Sequence, residues 1–305
     1  RTFTDEEKIN CIIMWKTNPK LSLLLYKLLC LPSVSTLQQV LSAVSIEPGI
    51  NDTIFHALEK KIENFEHRDK LCTLIFDEMA IQPHLDYNKH QDYVVGLEDH
   101  VMVFMLRGIF KRWKQPVAFS FCKDSMSADK VVSFYKNIVV RAEAIGLKVI
   151  ASVYDQGTTS VRAINTLFKK SKEENPDIEE EVIVINKKIH VIHIYDPPHL
   201  LKSIRNNLLG KDLKFSMCSK SQVAKWDHIW SAYNICKSHN IGLLKGITEH
   251  HVNPSKVKKM KVSNCVKVFS SSTAAAIKCC ALFNANSKNG DYALNDEALD
   301  TVTII

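Results

Sequence analysis

The sequence predicts a mixed α/β protein in which one sheet domain stands between two mainly helical units. Three observations predict it. Apolar residues recur at helical spacing up to about residue 66, the pattern changes to strand-type runs from Leu71, and beyond residue 196 helical spacing returns in a strongly basic segment. A chain of 305 residues with 46% apolar residues is long for one compact domain and can bury a large core.

Residues 5–30 and 33–45 have helical spacing, and Ser33 or Ser35 can cap the second stretch, because a serine oxygen accepts the orphan amide hydrogens of a first turn. The pair resembles a helix-turn-helix, with Leu37, Val40 and Leu41 facing inward and Gln38 and Gln39 outward. PGIN at 48–51 reads as a turn and 52–66 as another amphipathic helix. Next come a strand at 71–81, a polar turn around Asp86 to Asp92, a strand near 93–97, and a hairpin of 101–109 and 116–122 joined by KRWKQ. Helix 127–145 is expected to be capped by Ser127 and ended by Gly146, since a left-handed residue after a helix favours glycine.

A strand at 148–154, a helix from about 158 to 171, the acidic loop KEENPDIEEE and strands near 182–194 complete the sheet domain. A βββαβαβ order, antiparallel first and parallel last, is that of an RNase H-like fold. Parallel strands 148–154 and 189–195 around a helix require the continuous apolar composition seen here. The expected division is 1–68 helical, 69–196 RNase H-like, and 197–305 a mainly helical basic unit. In the last, Trp226 and Trp230, four apart, read as core.

The stretch LCTLIFDEM, residues 71–79, is a buried type of strand that ends in two acids. In the predicted sheet its neighbour is 148–154, which is followed by Asp155. Asp77 and Asp155 would then converge on one spot, where paired carboxylates can hold divalent cations roughly 3.5–4 Å apart for phosphoryl transfer. Their all-oxygen character points to Mg²⁺ or Mn²⁺. Either acid alone is more simply a turn or cap residue; the pair at matching strand ends carries the argument.

The net charge of +7 is concentrated: residues 197–267 carry 13 Lys/Arg against 3 Asp/Glu. Such a block attracts phosphate-bearing partners by counterion release, with Lys256, Lys258, Lys259 and Lys261 as the DNA-contact candidates; a solvated surface is the plain alternative. Nine cysteines without CxxC spacing suit reduced thiols in cytosol or nucleus, and Cys236 with His239 is at most half of a zinc site. No apolar run approaches the roughly 20 residues of a membrane span, so no membrane partner is expected. A start at Arg1 rather than Met leads one to expect an upstream segment.

FDEMAIQPHLDYNKHQDYVVGLED, VYDQGTTSVRAIN, YDPPHLLKSIRNNLL and KMKVSNCVKVFSSSTAAAI resemble, in order, segments of the P-element type transposases and their THAP-family relatives. The resemblance implies a nuclear, DNA-acting protein, homo-oligomeric when full length, whose substrates are transposon ends and target DNA. It implies an RNase H-like catalytic domain interrupted by a helical insertion that binds a guanine nucleotide, GTP in characterised members, and an amino-terminal zinc-coordinating THAP domain outside these residues. Asp77 and Asp155 match the first two metal-binding acids. The third, a Glu, is expected after the insertion; Glu297 is the nearby candidate, and the reading disfavours it. Asp196 and Lys202 match nucleotide-binding positions, with Arg205 offering further positive charge, while Asp196 before Pro197 and Pro198 is also sufficient as a helix cap. Where some members contact guanine through an acid, VKKMK here carries Lys258 and Lys261, which weakens the expectation of guanine selectivity. Two functions follow: a metal-dependent DNA strand transferase, or a non-catalytic DNA- or partner-binding protein derived from one.

Overall fold

The computed structural model describes residues 2–43, 46–83, 86–88, 93–95, 98–217, 219–286, 294 and 297–305, with backbone alone at 86–88, 93–95 and 283–286. Helices α1 (Asp5–Thr17), α2 (Pro19–Leu28) and α3 (Val34–Ser42) open the chain. Thr4 and Glu7 form a reciprocal capping box on α1, and Asn18 followed by Pro19 starts α2, so the stretch read as one helical run over 5–30 is two helices. Ser33 Oγ accepts from the Thr36 amide at 3.2 Å and caps α3 as expected. On α3, Leu37 is buried, Val40 and Leu41 are half-buried, and Gln38 and Gln39 are exposed.

The middle of the chain contributes β1 (Gly49–Ile50), α4 (Asp52–Ile62), β2 (Leu71–Ala80), β3 (Asp86–Asn88), β4 (Tyr93–Val95), β5 (His100–Gly108), β6 (Lys114–Cys122), α5 (Ala128–Ala144), β7 (Lys148–Tyr154), α6 (Thr158–Glu174), β8 (Val182–Ile185) and β9 (Ile189–Tyr195). Seven strands form one sheet in the order β1-β6-β5-β2-β7-β9-β8. β2, β5 and β6 are antiparallel, β2, β7 and β9 parallel, which is the expected RNase H-like arrangement. Three local differences have physical causes. PGIN is more than a turn: Gly49, at φ 124°, lets the chain enter the sheet edge, where Gly49 pairs with Phe119 and Ile50 with Ala118. The strand expected near 93–97 pairs only with β3, in a separate ribbon, and the turn expected at Asp86 to Asp92 is strand over 86–88, while 89–92 lie outside the described residues. Ser127 stands at the N-cap of α5 but makes no side-chain capping bond; Gly146 at φ 90° ends the helix region as expected.

Alternate residues of β2, including Cys72, Leu74 and Phe76, are buried in a cluster with Tyr135, Ile138 and Val139 of α5 and Ile164 and Leu167 of α6. Phe55, Leu58 and Ile62 of α4 join the same cluster, so α4 packs with the sheet domain although it precedes residue 69. On the other side of the strand pleat, Ile150, Ile192 and Ile194 are exposed.

The remainder comprises α7 (Pro197–Leu208), β10 (Leu213–Met217), β11 (Lys220–Ala224), α8 (Trp226–Ser238), α9 (Glu249–Val252), α10 (Val262–Val268), α11 (Ser271–Asn286) and α12 (Ala298–Ile304). It has its own core, built around Trp226, Ile229, Cys265, Val268 and Ile277. Trp226 is buried and donates its indole N–H to the Val252 carbonyl at 2.8 Å, while half-buried Trp230 stacks on Tyr233. The β10–β11 hairpin interrupts the expected helical run because Leu213 and Phe215 alternate with exposed Lys214 and Ser216, and Ser219 takes a φ of 62° at the turn.

Candidate active site

Register brings the two predicted carboxylates together. Ile75 of β2 lies beside Val153 of β7, and Asp77 and Asp155 are each two residues further along these parallel strands. Between them, Phe76 and Tyr154 stack with ring centroids 4.6 Å apart and planes at 16°, both buried. Each aspartate therefore follows a ring locked in the core, which fixes where its own side chain emerges on the opposite pleat. One detail differs from the expectation: Asp77 lies within β2, which runs on to Ala80 against β5, so the carboxylates meet where β7 ends rather than where both strands end.

β9 adds a third acid. Tyr195 pairs with Tyr154, the Asp196 amide donates to the Tyr154 carbonyl at 2.9 Å, and Asp196 thus sits beside Asp155. Its carboxylate accepts from the His199 amide at 3.2 Å and caps α7, whose first residues are Pro197 and Pro198. The His199 ring then stands between two carboxylates, with Nδ1 3.6 Å from Asp155 Oδ2 and Nε2 4.0 Å from Asp196 Oδ2.

Electrostatics report the same convergence. Asp77 is the first exposed residue of β2, yet its carboxyl is pushed above the ordinary aspartate value, first by partial burial and further by the charges of Asp155 and Asp196; a hydrogen bond from the Glu78 amide and the neighbouring His199 act in the opposite sense. An aspartate whose proton affinity is raised by neighbouring carboxylates belongs to a donor set that a hard divalent cation would relieve, and Mg²⁺ or Mn²⁺ fits it. Among the described residues no group of three His, Cys, Asp or Glu side chains is placed to hold a cation, so Asp77 and Asp155 could supply only part of a coordination sphere.

Asp155 is held from below. Its Oδ1 accepts from the Gly157 amide at 2.8 Å, and a Cβ at Gly157 would lie 2.7 Å from the Tyr154 hydroxyl and 3.1 Å from that same oxygen. Glycine is therefore required by close approach. Glu78, the second acid of the strand, faces away from the pair: it accepts from the Met126 amide at 2.9 Å and from Ser125 Oγ at 3.0 Å, tying down the turn before α5.

The remaining predicted residues separate. Lys202 is half-buried on α7, one turn beyond His199 on the same face. Arg205, the next turn, is wholly buried inside the C-terminal unit, where Nη2 donates to the Lys259 carbonyl at 2.6 Å and Nε to Asn206 Oδ1 at 2.9 Å. It holds the lysine-rich loop rather than opening to solvent. On that loop Lys258, Lys259 and Lys261 are exposed, while Lys256 pairs with Glu249 at 2.7 Å. Glu297 pairs with Lys225 at 3.1 Å beside α12, within the C-terminal unit. Cys236 is buried and His239 exposed, and they join no metal-binding group among the described residues. Sequence reasoning missed His199 as a site residue; the signal was its position three residues after the capping Asp196, which places it over the cap on the helix's first turn.

Comparisons with known proteins find related chains and domains over most of the sequence. The family model for the TNP-like RNase H N-terminal domain matches residues 46–168, and that for the TNP-like GTP-binding insertion domain matches residues 198–291. The chain is 31% identical over 281 residues to the Transposable element P transposase of Drosophila melanogaster, covering 92% of this chain and 35% of that protein. It is 22% identical over 275 residues to the DNA transposase THAP9 of Homo sapiens, covering 83% of this chain and 29% of that protein. Among solved structures, the Drosophila P element transposase strand transfer complex superposes with a TM-score of 0.79 at 28% identity, over 99% of this chain and 63% of that one. The chain thus spans about a third of the length of these curated relatives.

Proposed function

Because the chain belongs to the P-element type transposase family, we propose that it carries the first part of the catalytic centre of a DNA transposase, which cleaves and transfers DNA strands with a divalent cation. The observation that supports this most directly is the register that sets Asp77 and Asp155 side by side over the Phe76–Tyr154 stack. Asp77 and Asp155 would hold Mg²⁺ or Mn²⁺. When bound, such a cation activates the attacking oxygen and stabilises the leaving one. In this reading the protein works on transposon ends and target DNA in the nucleus, as a homo-oligomer when full length.

Thermal unfolding during a MnCl₂ titration tests the metal half. A cation at 100 times its dissociation constant stabilises the state that binds it by about 2.7 kcal/mol, so the native chain is expected to rise steadily in Tm while Asp77→Asn and Asp155→Asn stay nearly flat. Without metal the sign reverses for Asp77→Asn: an ionised Asp77 is disfavoured in the folded state, so the variant is expected to be the more stable at neutral pH, and its advantage to vanish in acid below the ordinary carboxylate range. Equal Mn²⁺ responses in native and variant chains would sink the proposed site.

The insertion domain supplies the rest of the proposal. Asp196 and Lys202 at the start of α7 are its nucleotide contacts, GTP being the expected ligand, and Lys258, Lys259 and Lys261 its contacts to DNA phosphates. Each phosphate contact contributes about 0.9 to the slope of log K against log salt, so changing all three lysines to glutamine is expected to shallow the slope by up to about 2.7. An unaltered slope and affinity would leave the loop an ordinary solvated surface. A second reading is a non-catalytic DNA-binding derivative, for which the exposed Lys258, Lys259 and Lys261 suffice without the aspartate pair. Salt-dependent DNA binding without any Mn²⁺ response would select it.

A further inference from the structure

We propose that His199 is a positioning residue that couples nucleotide binding on α7 to the Asp77–Asp155 centre. The inference rests on the nucleotide reading above and names the connection that reading lacks. Two groups assigned to different tasks, Asp155 to the cation and Asp196 to the nucleotide, are held at the ends of adjacent parallel strands, with Asp196 bonded through its amide to the residue before Asp155. Among the described residues, the side chain that approaches both carboxylates is His199, at 3.6 Å from one and 4.0 Å from the other.

Both distances exceed a hydrogen bond, and a shift of less than about 1 Å closes either. The two ring nitrogens face different carboxylates, so moving the ring to hydrogen-bonding distance of one draws it away from the other. Whichever carboxylate is occupied by a ligand therefore decides which one the ring serves, and the backbone cannot mask the choice, because Asp196 is pinned by its cap and Asp155 by the Gly157 amide. Lys202 lies one turn further along the same helix face, half-buried, so a phosphate held by it in the nucleotide reading would lie on the same side of α7 as this ring. Coupling between two ligands is reciprocal, so a ring drawn toward or away from Asp155 when α7 is occupied must also make nucleotide affinity sensitive to the state of the paired aspartates.

A double-mutant cycle reads this directly. The dissociation constant of a fluorescent GTP analogue is measured at one saturating Mg²⁺ concentration for the native chain, Asp77→Asn, His199→Ala and the double variant, with circular dichroism confirming that each is folded. Asp77→Asn is expected to change nucleotide affinity by about fivefold in the native background and by less than about twofold in the His199→Ala background, as coupling through one side chain requires. His199→Gln, which keeps a donor at similar reach, is expected to restore part of the difference; a merely structural role for the ring would not separate these two substitutions. The same change in both backgrounds, or none in the native one, overturns the coupling while leaving the nucleotide site intact. No saturable binding by the native chain overturns the nucleotide reading, and the coupling with it.

Discussion

Phe76→Ala is expected to destabilise the sheet domain by about 3–5 kcal/mol, the range for removing a fully buried aromatic side chain and leaving its cavity. Phe76 is 1% exposed and touches rings on three sides: Tyr154 at 4.6 Å, Phe104 at 5.4 Å and Tyr135, edge-on, at 6.1 Å between centroids. Tyr135 belongs to α5 and the others to β7 and β5, so no single neighbour can collapse into the void without breaking a strand register or lifting a helix. Because Phe76 and Tyr154 each precede a candidate metal ligand, the loss should appear twice: in urea unfolding, and as weaker Mn²⁺ stabilisation in the molecules that remain folded. Phe76→Leu, which keeps most of the volume, is expected to cost far less and to retain the Mn²⁺ response. A cost below about 1 kcal/mol for the alanine variant, or an Mn²⁺ response untouched by it, would show that the stack does not place the carboxylates.

Acidification is expected to weaken the domain through His193, one strand away from the site. Its ring is 6% exposed, wedged edge-on to Phe168 and Tyr195, with Nδ1 3.0 Å from Ser152 Oγ, which in turn receives the Tyr135 hydroxyl proton at 3.0 Å. Nε2 is buried and has no hydrogen-bond partner among the described residues, so a proton added there would be a charge without solvent or acceptor. Burial accordingly pushes the His193 value down from 6.5 to about 4. A depressed histidine leaves stability intact above the unfolded-state value and removes it as pH falls from about 6.5 toward 4, because the unfolded chain then binds the proton that the folded chain refuses. At about 1.4 kcal/mol per unit, the full span is worth up to about 3 kcal/mol. Urea midpoints at pH 7 and pH 4.5 for the native chain and for His193→Gln isolate this part from the carboxylates common to both. Parallel acid limbs in the two proteins would remove His193 from the account.

Period alone was enough to read β2, β5, β6, α5, β7, α6 and β9 within a few residues, since each is long and buried on one face. Short elements escaped. β1 pairs through two residues only, and its strand character comes from the edge of β6 rather than from PGIN itself. Four of the ten strand residues of the β10–β11 hairpin are lysine or serine, and it is strand because its apolar residues find the α7–α8 core.

At the site, Asp77 and Asp155 were determined by the sequence itself, because an apolar run followed by an acid at two neighbouring strands of a predictable sheet leaves the carboxylates one place to meet. The capping of α7 by Asp196 was equally local, written in the Asp-Pro-Pro order. Other features depended on distances between segments far apart in the chain. Arg205 and Lys202 are three apart on one helix, and a helical wheel gives both the same face; only the packing of the 256–261 loop over that helix buries one and leaves the other at the surface. Asp196 and His199 became neighbours of Asp155 only through the parallel pairing of β9 with β7, a contact set by sheet order across 41 residues between Ser152 and His193. Sequence specifies which residues cap, turn and alternate, because those depend on bonds a few residues long; the tertiary structure decides which charged groups face one another, because that depends on where separate strands stop.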